Sequence, residues 1–251
     1  MGRKTNIKYK MGNMEKIKKV LYTEGRYFYW KSGDLHTSHG VVKEEVLKKA
    51  KGEVETHKGV KLIVLEPSYI DIIKKIKRDP QTLLPKDLAI ILFYTGINNR
   101  YKIVDAGAGC GLLAASMGRI AKEVTTYERN EKYKKIIEHN LEFLEAKNVK
   151  LKMKDIYEGI DEKNLDLITL DLPEPWRALE HAEKALKQSG YLVTYLPTII
   201  QVSQLVDAAK NFVHLKTIEL LEREWHVEGK KLRPKSQMQG HTAFLTFLRR
   251  I

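Results

Sequence analysis

The sequence predicts an α/β protein with one open, mostly parallel sheet and a small β-rich domain before it. From residue 101 onward, short apolar runs alternate with helical patterns, which is typical of strand-helix-strand units. The first apolar run, Tyr101 to Val104, leads directly into a glycine-rich turn and the start of a helix. Before residue 66 the apolar runs are short and follow one another at hairpin spacing instead, which predicts antiparallel strands.

The amino-terminal elements are an arm and a small domain. We expect residues 1–16, which are polar and basic, to form a disordered arm. Residues 17–66 hold the strand-like segments KKVLY, RYFYW and KLIVL, separated by turn residues, and we expect a small β-rich domain there. The aromatic row Tyr27 to Trp30 either stacks on nucleic-acid bases or forms a half-buried strand face, and packing is the commoner role for such rows.

Two helices are predicted between this domain and the sheet. The segment from Ser68 to Lys77 is amphipathic, with Ser68 as a candidate N-cap and isoleucines on one side, and it predicts a linker helix. A second helix begins after Pro85 and stops at Gly96. Its apolar composition indicates that it packs on the sheet.

The rest of the chain, residues 67–251, is predicted to form one domain around a seven-stranded sheet. The strands are expected at 101–105, 122–127, 149–153, 165–171, 190–196, 214–222 and 242–248, with helices at about 111–120, 130–146, 176–187 and 200–210. The last two strands are joined by a long connection of Gly, Pro and basic residues with no helical pattern. We therefore expect an antiparallel pair to close an otherwise parallel sheet.

The glycine-rich turn and the acid after the next strand indicate a binding site for an adenine nucleoside. Gly107, Gly109 and Gly111 let the chain turn sharply while a ligand approaches the backbone. The helix that starts at about Leu112 points its amide end at that ligand. Glu128 ends the second strand, where it is placed to accept hydrogen bonds from ribose hydroxyls.

The spacing of the glycines favours a nucleoside over a dinucleotide. Dinucleotide sites usually read G-x-G-x-x-G, because the third glycine lets the helix that carries the pyrophosphate pack closely on the strand. Here the pattern is G-x-G-x-G, and Leu112 stands at the place of that third glycine. S-adenosylmethionine therefore fits the motif better than NAD, and a tight turn without any ligand is the remaining alternative.

Two aspartates follow later strands of the predicted sheet. Asp171 begins DLPEPW at the carboxyl end of the fourth strand, on the same edge as the glycine turn. It is placed to accept from the exocyclic amine of a base, with Trp176 bounding the pocket, or else it caps the next helix. Asp155 follows the third strand and either binds an adenine amino group or caps a turn.

The remaining candidate residues carry weaker signals. Cys110 lies in the glycine turn without a neighbouring base, so we interpret it as a small filler, and as a single cysteine it excludes an intrachain disulfide. His36 and His39 supply only two ligands, too few for a tetrahedral metal site. His241 either contacts phosphate or is a hydrogen-bonded turn residue.

The charge distribution points to a polyanionic partner. The net charge is +13. Residues 1–19 hold seven basic side chains against one acid and residues 223–251 hold seven against two, whereas residues 81–222 hold 19 against 20. The basic ends indicate RNA binding, or else solvated tails that aid solubility. Because the chain has no apolar run of 18 residues and no secretory signal, we expect a cytoplasmic protein without membrane partners.

Several segments together resemble the tRNA adenine-N1-methyltransferases that modify the T loop, in their archaeal and bacterial homotetrameric form. The matching segments, in the family's order, are LHTSHG, DPQTLLPKD, DAGAGCGLL, TYERN, DLPEPW and RPKSQMQGHTAFL. They span nearly the whole chain from about residue 17. DLPEPW and the combination of QTLLPKD with MQGHT are specific to the family, whereas the glycine turn alone is not. The resemblance implies a Rossmann-like class I methyltransferase sheet with seven strands.

The resemblance also implies an activity, a cofactor and partners. It implies methylation of N1 of adenosine 58 in tRNA, and in some archaeal members also of position 57, by S-adenosylmethionine without a metal, in a homotetramer. Asp171 is expected at the reacting adenine as the catalytic residue. The residues expected around the methyl donor are Gln81, Gly107, Gly109, Cys110, Gly111, Leu112, Leu113, Glu128, Tyr133, Asp155 and Asp171.

Two positions depart from the family pattern, and two other functions stay open. Leu84 lies where members often have Tyr or His, which puts an aromatic stacking role there in doubt, and Cys110 replaces a common Ser while preserving a backbone contact. One alternative function is a non-catalytic tRNA-binding subunit, which is expected to lose the donor site. The other is a methyltransferase that acts on another substrate.

Overall fold

The structure is a computed structural model that describes residues 15–78 and 82–251. It contains two compact units, the first ending at Ile76 and the second running from Lys77 to Ile251. Within the two described ranges, no helix is long and apolar enough to cross a membrane. The division into a disordered arm (1–16), a small β-rich domain (17–66) and a methyltransferase domain (67–251) stays a prediction, and residues 1–14 of the arm lie outside the described residues.

The amino-terminal unit is built around a four-stranded antiparallel sheet with the order β2-β1-β6-β5. The short helix over Glu44–Lys49 was not predicted, because six residues give too little periodicity to separate a helix from a turn. The predicted linker helix is short and ends at Ile73. The elements are β1 (Lys19–Thr23), β2 (Arg26–Trp30), β3 (Leu35–Thr37), β4 (Gly40–Val42), α1 (Glu44–Lys49), β5 (Gly52–Glu55), β6 (Lys61–Leu65) and α2 (Tyr69–Ile73).

The aromatic row of β2 is divided between the two faces of this sheet. Trp30 is 3% exposed and belongs to the core of the unit, and Phe28 packs against the same core. Tyr27 and Tyr29 lie on the opposite face, where the ammonium groups of Lys74 and Lys75 sit 5.1 and 4.2 Å from the respective ring centroids. Half of the row therefore packs inside the unit, as alternation along a strand requires.

The carboxyl-terminal unit alternates strands and helices, as the sequence predicts. Its elements are α3 (Pro85–Tyr94), β7 (Lys102–Ala106), α4 (Leu112–Gly118), β8 (Glu123–Glu128), α5 (Glu131–Phe143), β9 (Val149–Met153), β10 (Leu165–Leu170), α6 (Leu179–Ala185), β11 (Leu186–Leu196), α7 (Ile199–Ala208), β12 (Phe212–Glu219), β13 (Trp225–Glu228), β14 (Lys231–Pro234) and β15 (Phe244–Arg250).

The seven-stranded sheet has the order β12-β15-β11-β10-β7-β8-β9. The strands β7, β8, β9, β10 and β11 pair in parallel, while β15 pairs antiparallel with both β11 and β12. The expected closing antiparallel pair is thus confirmed. The order places β7 between β10 and β8, so the carboxyl ends of these three strands lie side by side.

Three details of this unit differ from the predictions. The helix expected at 176–187 is a 3₁₀ turn over Pro175–Ala178 followed by α6. The next strand starts at Leu186 rather than residue 190, because Leu186 pairs with Leu165 and is buried. The connection between β12 and β15, expected to be irregular, contains the hairpin of β13 and β14, whose exposed residues give a weak strand pattern.

Candidate functional site

A cavity of about 300 Å³ opens at the carboxyl ends of the parallel strands. This is the edge at which open α/β sheets bind ligands. Six of the residues predicted for the site line the cavity: Gly107, Gly109, Glu128, Tyr133, Asp155 and Asp171. The sheet order thus brings together side chains that are far apart in the sequence.

The glycine turn closes tightly against the end of β10. Gly107 has a φ of +85°, and a Cβ atom at this position would lie 2.1 Å from the backbone oxygen of Asp171. The amides of Gly107 and Ala108 both donate to the carbonyl of Tyr127 at 3.2 Å. The turn is therefore wedged between β8 and β10, and a side chain at residue 107 does not fit.

Gly109 presents bare backbone to the cavity. It has a φ of +57°, and an added Cβ atom would meet only the carbonyl oxygen of Gly107, at 3.8 Å. The space beside this residue is therefore open within the described part of the chain. A ligand can approach the backbone here without a side chain in between.

The residues from Cys110 to Leu113, at the end of the glycine turn and the start of α4, do not line the cavity. They are buried, and the Cys110 carbonyl accepts a hydrogen bond from the Asn140 side-chain amide at 2.8 Å. These contacts anchor the turn to α5. A direct contact between this segment and a donor stays a prediction, and Gln81 lies outside the described residues.

Glu128 has one carboxylate oxygen available for a ligand. The side chain ends β8 and is 9% exposed. Its Oε1 accepts from the backbone amide of Asn130 at 2.9 Å, which fixes the direction of the carboxylate. Among the described residues, Oε2 has no hydrogen-bond partner, so it can accept from a ribose hydroxyl as predicted.

Asp155 is partly committed to local structure. Its Oδ1 caps a 3₁₀ turn by accepting from the amide of Tyr157 at 3.0 Å. Its Oδ2 forms an ion pair with Arg129 at 3.2 Å. The capping alternative is therefore present in the structure, and the same carboxylate still lines the cavity. Binding of an adenine amino group by Asp155 stays a prediction.

Asp171 is an unpaired carboxyl group at the cavity wall. Burial, and to a smaller extent the charge of the nearby Asp105, raises its pKa to about 7. Within the described chain its side chain has no hydrogen-bond partner, whereas its backbone amide donates to the carbonyl of Ala106 at 2.9 Å. A carboxyl group with this pKa is ionised in part at neutral pH and has both oxygens free to accept.

Asp105 lies beneath the site and was not predicted. It is 1% exposed, and its two oxygens accept from the hydroxyls of Thr126 and Thr169, each at 2.7 Å. Burial raises its pKa to about 6, although the two hydrogen bonds oppose that shift. Because Thr126 is on β8 and Thr169 is on β10, this carboxyl group ties together the three strands that form the site.

Several further residues form the cavity wall and were missed. One of them is Tyr157, whose ring centroid lies 5.9 Å from the Arg129 guanidinium and 4.4 Å from the Arg177 guanidinium. Trp176, expected to bound the pocket, packs against the core and is not among the residues that line the cavity. The lining residues without a sequence prediction are Ala106, Tyr127, Arg129, Lys154, Ile156, Tyr157 and Leu172.

The histidines have local roles. His241 pairs through Nδ1 with Glu219, and its Nε2 lies 2.8 Å from the carbonyl oxygen of Pro197. The hydrogen bond with Glu219 raises the pKa of His241. It is thus a hydrogen-bonded turn residue. Neither His36 nor His39 belongs to a group of three metal-ligating side chains in the described ranges.

A buried polar cluster joins two of the specific sequence segments. The Lys86 ammonium, with 11% of its side chain exposed, pairs with Asp87 at 2.7 Å and donates to the Thr242 hydroxyl at 2.8 Å. The Tyr195 hydroxyl lies 3.5 Å from Asp87. Burial, together with the charges of Asp87 and Asp171, raises the pKa of Tyr195 to about 12. The cluster therefore lies within electrostatic reach of the cavity.

Comparison with known proteins gives consistent matches. A sequence model of the family described as tRNA methyltransferase complex GCD14 subunit matches residues 73–233. The tRNA (adenine(57)-N(1)/adenine(58)-N(1))-methyltransferase TrmI of Methanocaldococcus jannaschii is 36% identical over 230 residues, covering 78% of this chain and 81% of that protein. The tRNA (adenine(58)-N(1))-methyltransferase TrmI of Thermus thermophilus is 35% identical over 227 residues, covering 87% and 89%.

Two solved structures are also similar to this chain. The tRNA (m1A58) methyltransferase TrmI of Aquifex aeolicus superposes with a TM-score of 0.83 at 28% identity, over 94% of this chain and 98% of that chain. A protein from Thermotoga maritima, described as an S-adenosylmethionine-dependent O-methyltransferase, superposes with a TM-score of 0.85 at 32% identity, over 94% and 93% of the two chains. The seven-stranded sheet is thus the class I methyltransferase fold.

Proposed function

The chain belongs to the tRNA methyltransferase family described as GCD14, and we propose that it transfers a methyl group from S-adenosylmethionine to N1 of an adenosine in the tRNA T loop. Position 58 is the expected target, and position 57 is the second candidate. The observation that carries the proposal is that Glu128 and Asp171, on strands that both flank β7, line one cavity around the glycine turn. The Glu128 carboxylate suits the hydroxyls of a ribose, and the Asp171 carboxylate suits the amine of a base.

The residues around the turn fit a nucleoside with a small charged tail. The open backbone at Gly109 gives the ligand close access, and the free Oε2 of Glu128 can accept from ribose hydroxyls. Tyr133 and Asp155 line the same cavity, and we assign them to the donor as well. When bound there, S-adenosylmethionine supplies an electrophilic methyl group on a sulfonium centre.

Asp171 is assigned to the acceptor base. Because neither of its side-chain oxygens has a hydrogen-bond partner among the described residues, we assign its carboxylate to accept a hydrogen bond from the exocyclic amine of adenine. That contact raises the electron density at N1 and stabilises the positive charge that the methylated base acquires. Because N1 is a neutral nucleophile that attacks in line, positioning of the base contributes much of the rate.

Access to the base needs a surface that holds tRNA. The target adenosine has to leave the T-loop stack before N1 can reach the methyl group. We assign the grip on the phosphates to the basic residues at both ends of the chain and to the amino-terminal unit. A homotetramer and a cytoplasmic location complete the proposal.

Mass mapping of tRNA tests this function directly. The protein is incubated with an unmodified tRNA transcript and S-adenosylmethionine, and the product is digested and mapped. We expect one added methyl group on adenosine 58, with a transcript that carries guanosine at this position as the matched control. Methylation of neither position 57 nor position 58 would refute the proposal.

Measuring the binding of S-adenosylmethionine to the protein separates the alternative functions. Absence of S-adenosylmethionine binding would favour a non-catalytic subunit, although the glycine turn, Glu128 and Asp171 are all retained. Donor binding without tRNA methylation would favour another substrate. Competition between tRNA, proteins and small molecules would then identify that substrate class.

A further inference from the structure

One wall of the cavity is formed by the segment 154–164, which joins β9 to β10. Its residues Lys154, Asp155, Ile156 and Tyr157 line the cavity. The other connections between parallel strands of this sheet contain α-helices, but this one, described in full, forms only a 3₁₀ turn over Ile156–Glu158. A single turn of this kind has little stability of its own. Contacts with the rest of the unit must therefore hold the wall in place.

The far end of this segment is held by four polar side chains, which we call the loop clamp: Tyr127, Lys152, Asp161 and Glu162. The Tyr127 hydroxyl donates to Glu162 at 2.5 Å and accepts from the Asp161 amide at 3.1 Å. The Lys152 ammonium donates to Glu162 at 2.5 Å, to Asp161 at 3.1 Å and to the Tyr127 hydroxyl at 3.3 Å. Each member thus contacts at least two others.

Tyr127 connects the clamp to the cavity. It is 1% exposed, it lines the cavity, and it directly precedes Glu128 on β8. Its carbonyl accepts from the amides of Gly107 and Ala108. One residue therefore contacts the glycine turn through its backbone and the end of the opposite wall through its hydroxyl. Burial raises the pKa of Tyr127 to about 12, so the hydroxyl stays protonated and can donate at neutral pH.

We propose that Tyr127 and Lys152 are positioning residues that hold the segment 154–164 in the conformation that receives the adenine end of the methyl donor. Apolar burial of Ile156 and Ile160, which are 3% and 6% exposed, holds the middle of the segment. The Lys154–Asp161 pair, at 2.6 Å, joins two residues of the segment itself, whereas the clamp ties its far end to β8 and β9. Without the clamp, donor binding must order that end, and the cost lowers the affinity. The identity of the ligand rests on the proposed function, whereas the role of the clamp does not require tRNA.

The test measures donor affinity in the absence of tRNA, by calorimetry with S-adenosylmethionine and with S-adenosylhomocysteine. Tyr127→Phe keeps the buried ring but removes two hydrogen bonds to the segment. Since both hydrogen bonds are lost, we expect Kd to rise by about tenfold or more for both ligands. Glu162→Ala should act in the same way, while Glu162→Gln, which can still accept from Tyr127, should restore most of the affinity.

Kinetic and exchange measurements separate positioning from a general loss of structure. At saturating donor, kcat of Tyr127→Phe should stay within about twofold of wild type while KM for the donor rises, because the lost interaction affects binding and transition state equally. Amide exchange should accelerate within residues 155–162. The control is Glu123→Gln, which breaks the Lys102–Glu123 pair at 3.1 Å on neighbouring strands of the same sheet and should leave Kd unchanged.

Each outcome decides the proposal. A wild-type Kd for both Tyr127→Phe and Glu162→Ala would overturn it, as would a fall in kcat with Kd unchanged. If Tyr127→Phe does not fold, Glu162→Ala and Lys152→Met carry the test. Failure of the wild-type protein to bind the donor would reject both the clamp and the proposed function, whereas donor binding without tRNA methylation would reject only the proposed function.

Discussion

Replacement of Gly107 by alanine should disrupt the site through a backbone collision. The added Cβ atom would lie 2.1 Å from the carbonyl oxygen and 3.0 Å from the carbonyl carbon of Asp171. Both are backbone atoms, so no side-chain rotation relieves the contact. The adjacent hydrogen bond from the Asp171 amide to the Ala106 carbonyl, at 2.9 Å, resists separation of the two strand ends. The variant must therefore spread β7 from β10 next to the cavity.

Three contributions set the size of this effect. Alanine at a φ of +85° costs about 1–2 kcal/mol in backbone strain. Overpacking of a fixed environment costs about 1–3 kcal/mol, and loss of the neighbouring hydrogen bond costs about 1 kcal/mol. We expect a fall of about 3–6 kcal/mol in the free energy of unfolding, which is a large share of the usual total. The melting temperature should drop on the order of 10 °C.

Urea and thermal unfolding measure the stability of the Gly107→Ala variant, and calorimetry measures its affinity for S-adenosylmethionine. The matched control is Gly229→Ala, because Gly229 also has a positive φ, +52°, but no atom lies within 4 Å of its added Cβ. This control isolates backbone strain and should cost only about 1–2 kcal/mol. If Gly107→Ala were as stable as the control and bound the donor as tightly as wild type, the close packing of this turn between β8 and β10 would not constrain residue 107 as argued.

Three further predictions concern buried charges. Because the pKa of Asp171 is raised to about 7, kcat should rise between pH 6 and pH 8 as the carboxylate forms, and Asp171→Asn should lower kcat by about 100-fold and flatten this profile. The pKa values of Asp105 and Asp171 are raised in the native state, so protonation of these two carboxyl groups stabilises the fold. This contribution to the free energy of unfolding is greatest below about pH 4 and is lost as the pH rises through about 7. The wild-type unfolding free energy relative to Asp171→Asn should fall over that window by at most about 1.4 kcal/mol per pH unit. Lys86→Met leaves Asp87, 1% exposed, without its cation and should cost about 3–5 kcal/mol.

Each of these predictions has its own control or contradicting outcome. Donor affinity of Asp171→Asn should stay near wild type, and an unchanged kcat for this variant would remove Asp171 from the mechanism. A pH-independent difference in stability between wild type and Asp171→Asn would contradict the raised pKa. For the buried pair the comparison is Lys184→Met, because the Lys184–Glu180 pair is largely exposed. An equal effect of the two lysine substitutions on melting would refute the assignment.

The order of elements in the carboxyl-terminal unit could be predicted from sequence because each strand and helix has its own periodicity. The strand at Val149–Met153 agrees with the prediction at both ends. Errors arose where pairing overrides local pattern: Leu186 joins β11 because it pairs with Leu165, and the isolated hairpin of β13 and β14 has mostly exposed residues. Short elements such as α1 lack the length that periodicity needs.

The sequence alone determined the glycine turn, the acid that ends the second strand and Asp171, because each belongs to a local pattern with a known place in an open sheet. Only the tertiary structure showed which other residues contact and support these site residues. Asp105 joins Thr126 and Thr169 beneath the cavity, and Tyr127 reaches Asp161 and Glu162 across the wall. These contacts depend on which strands are neighbours and on the direction of each side chain. Those are properties of the assembled sheet, and no local run of residues encodes them.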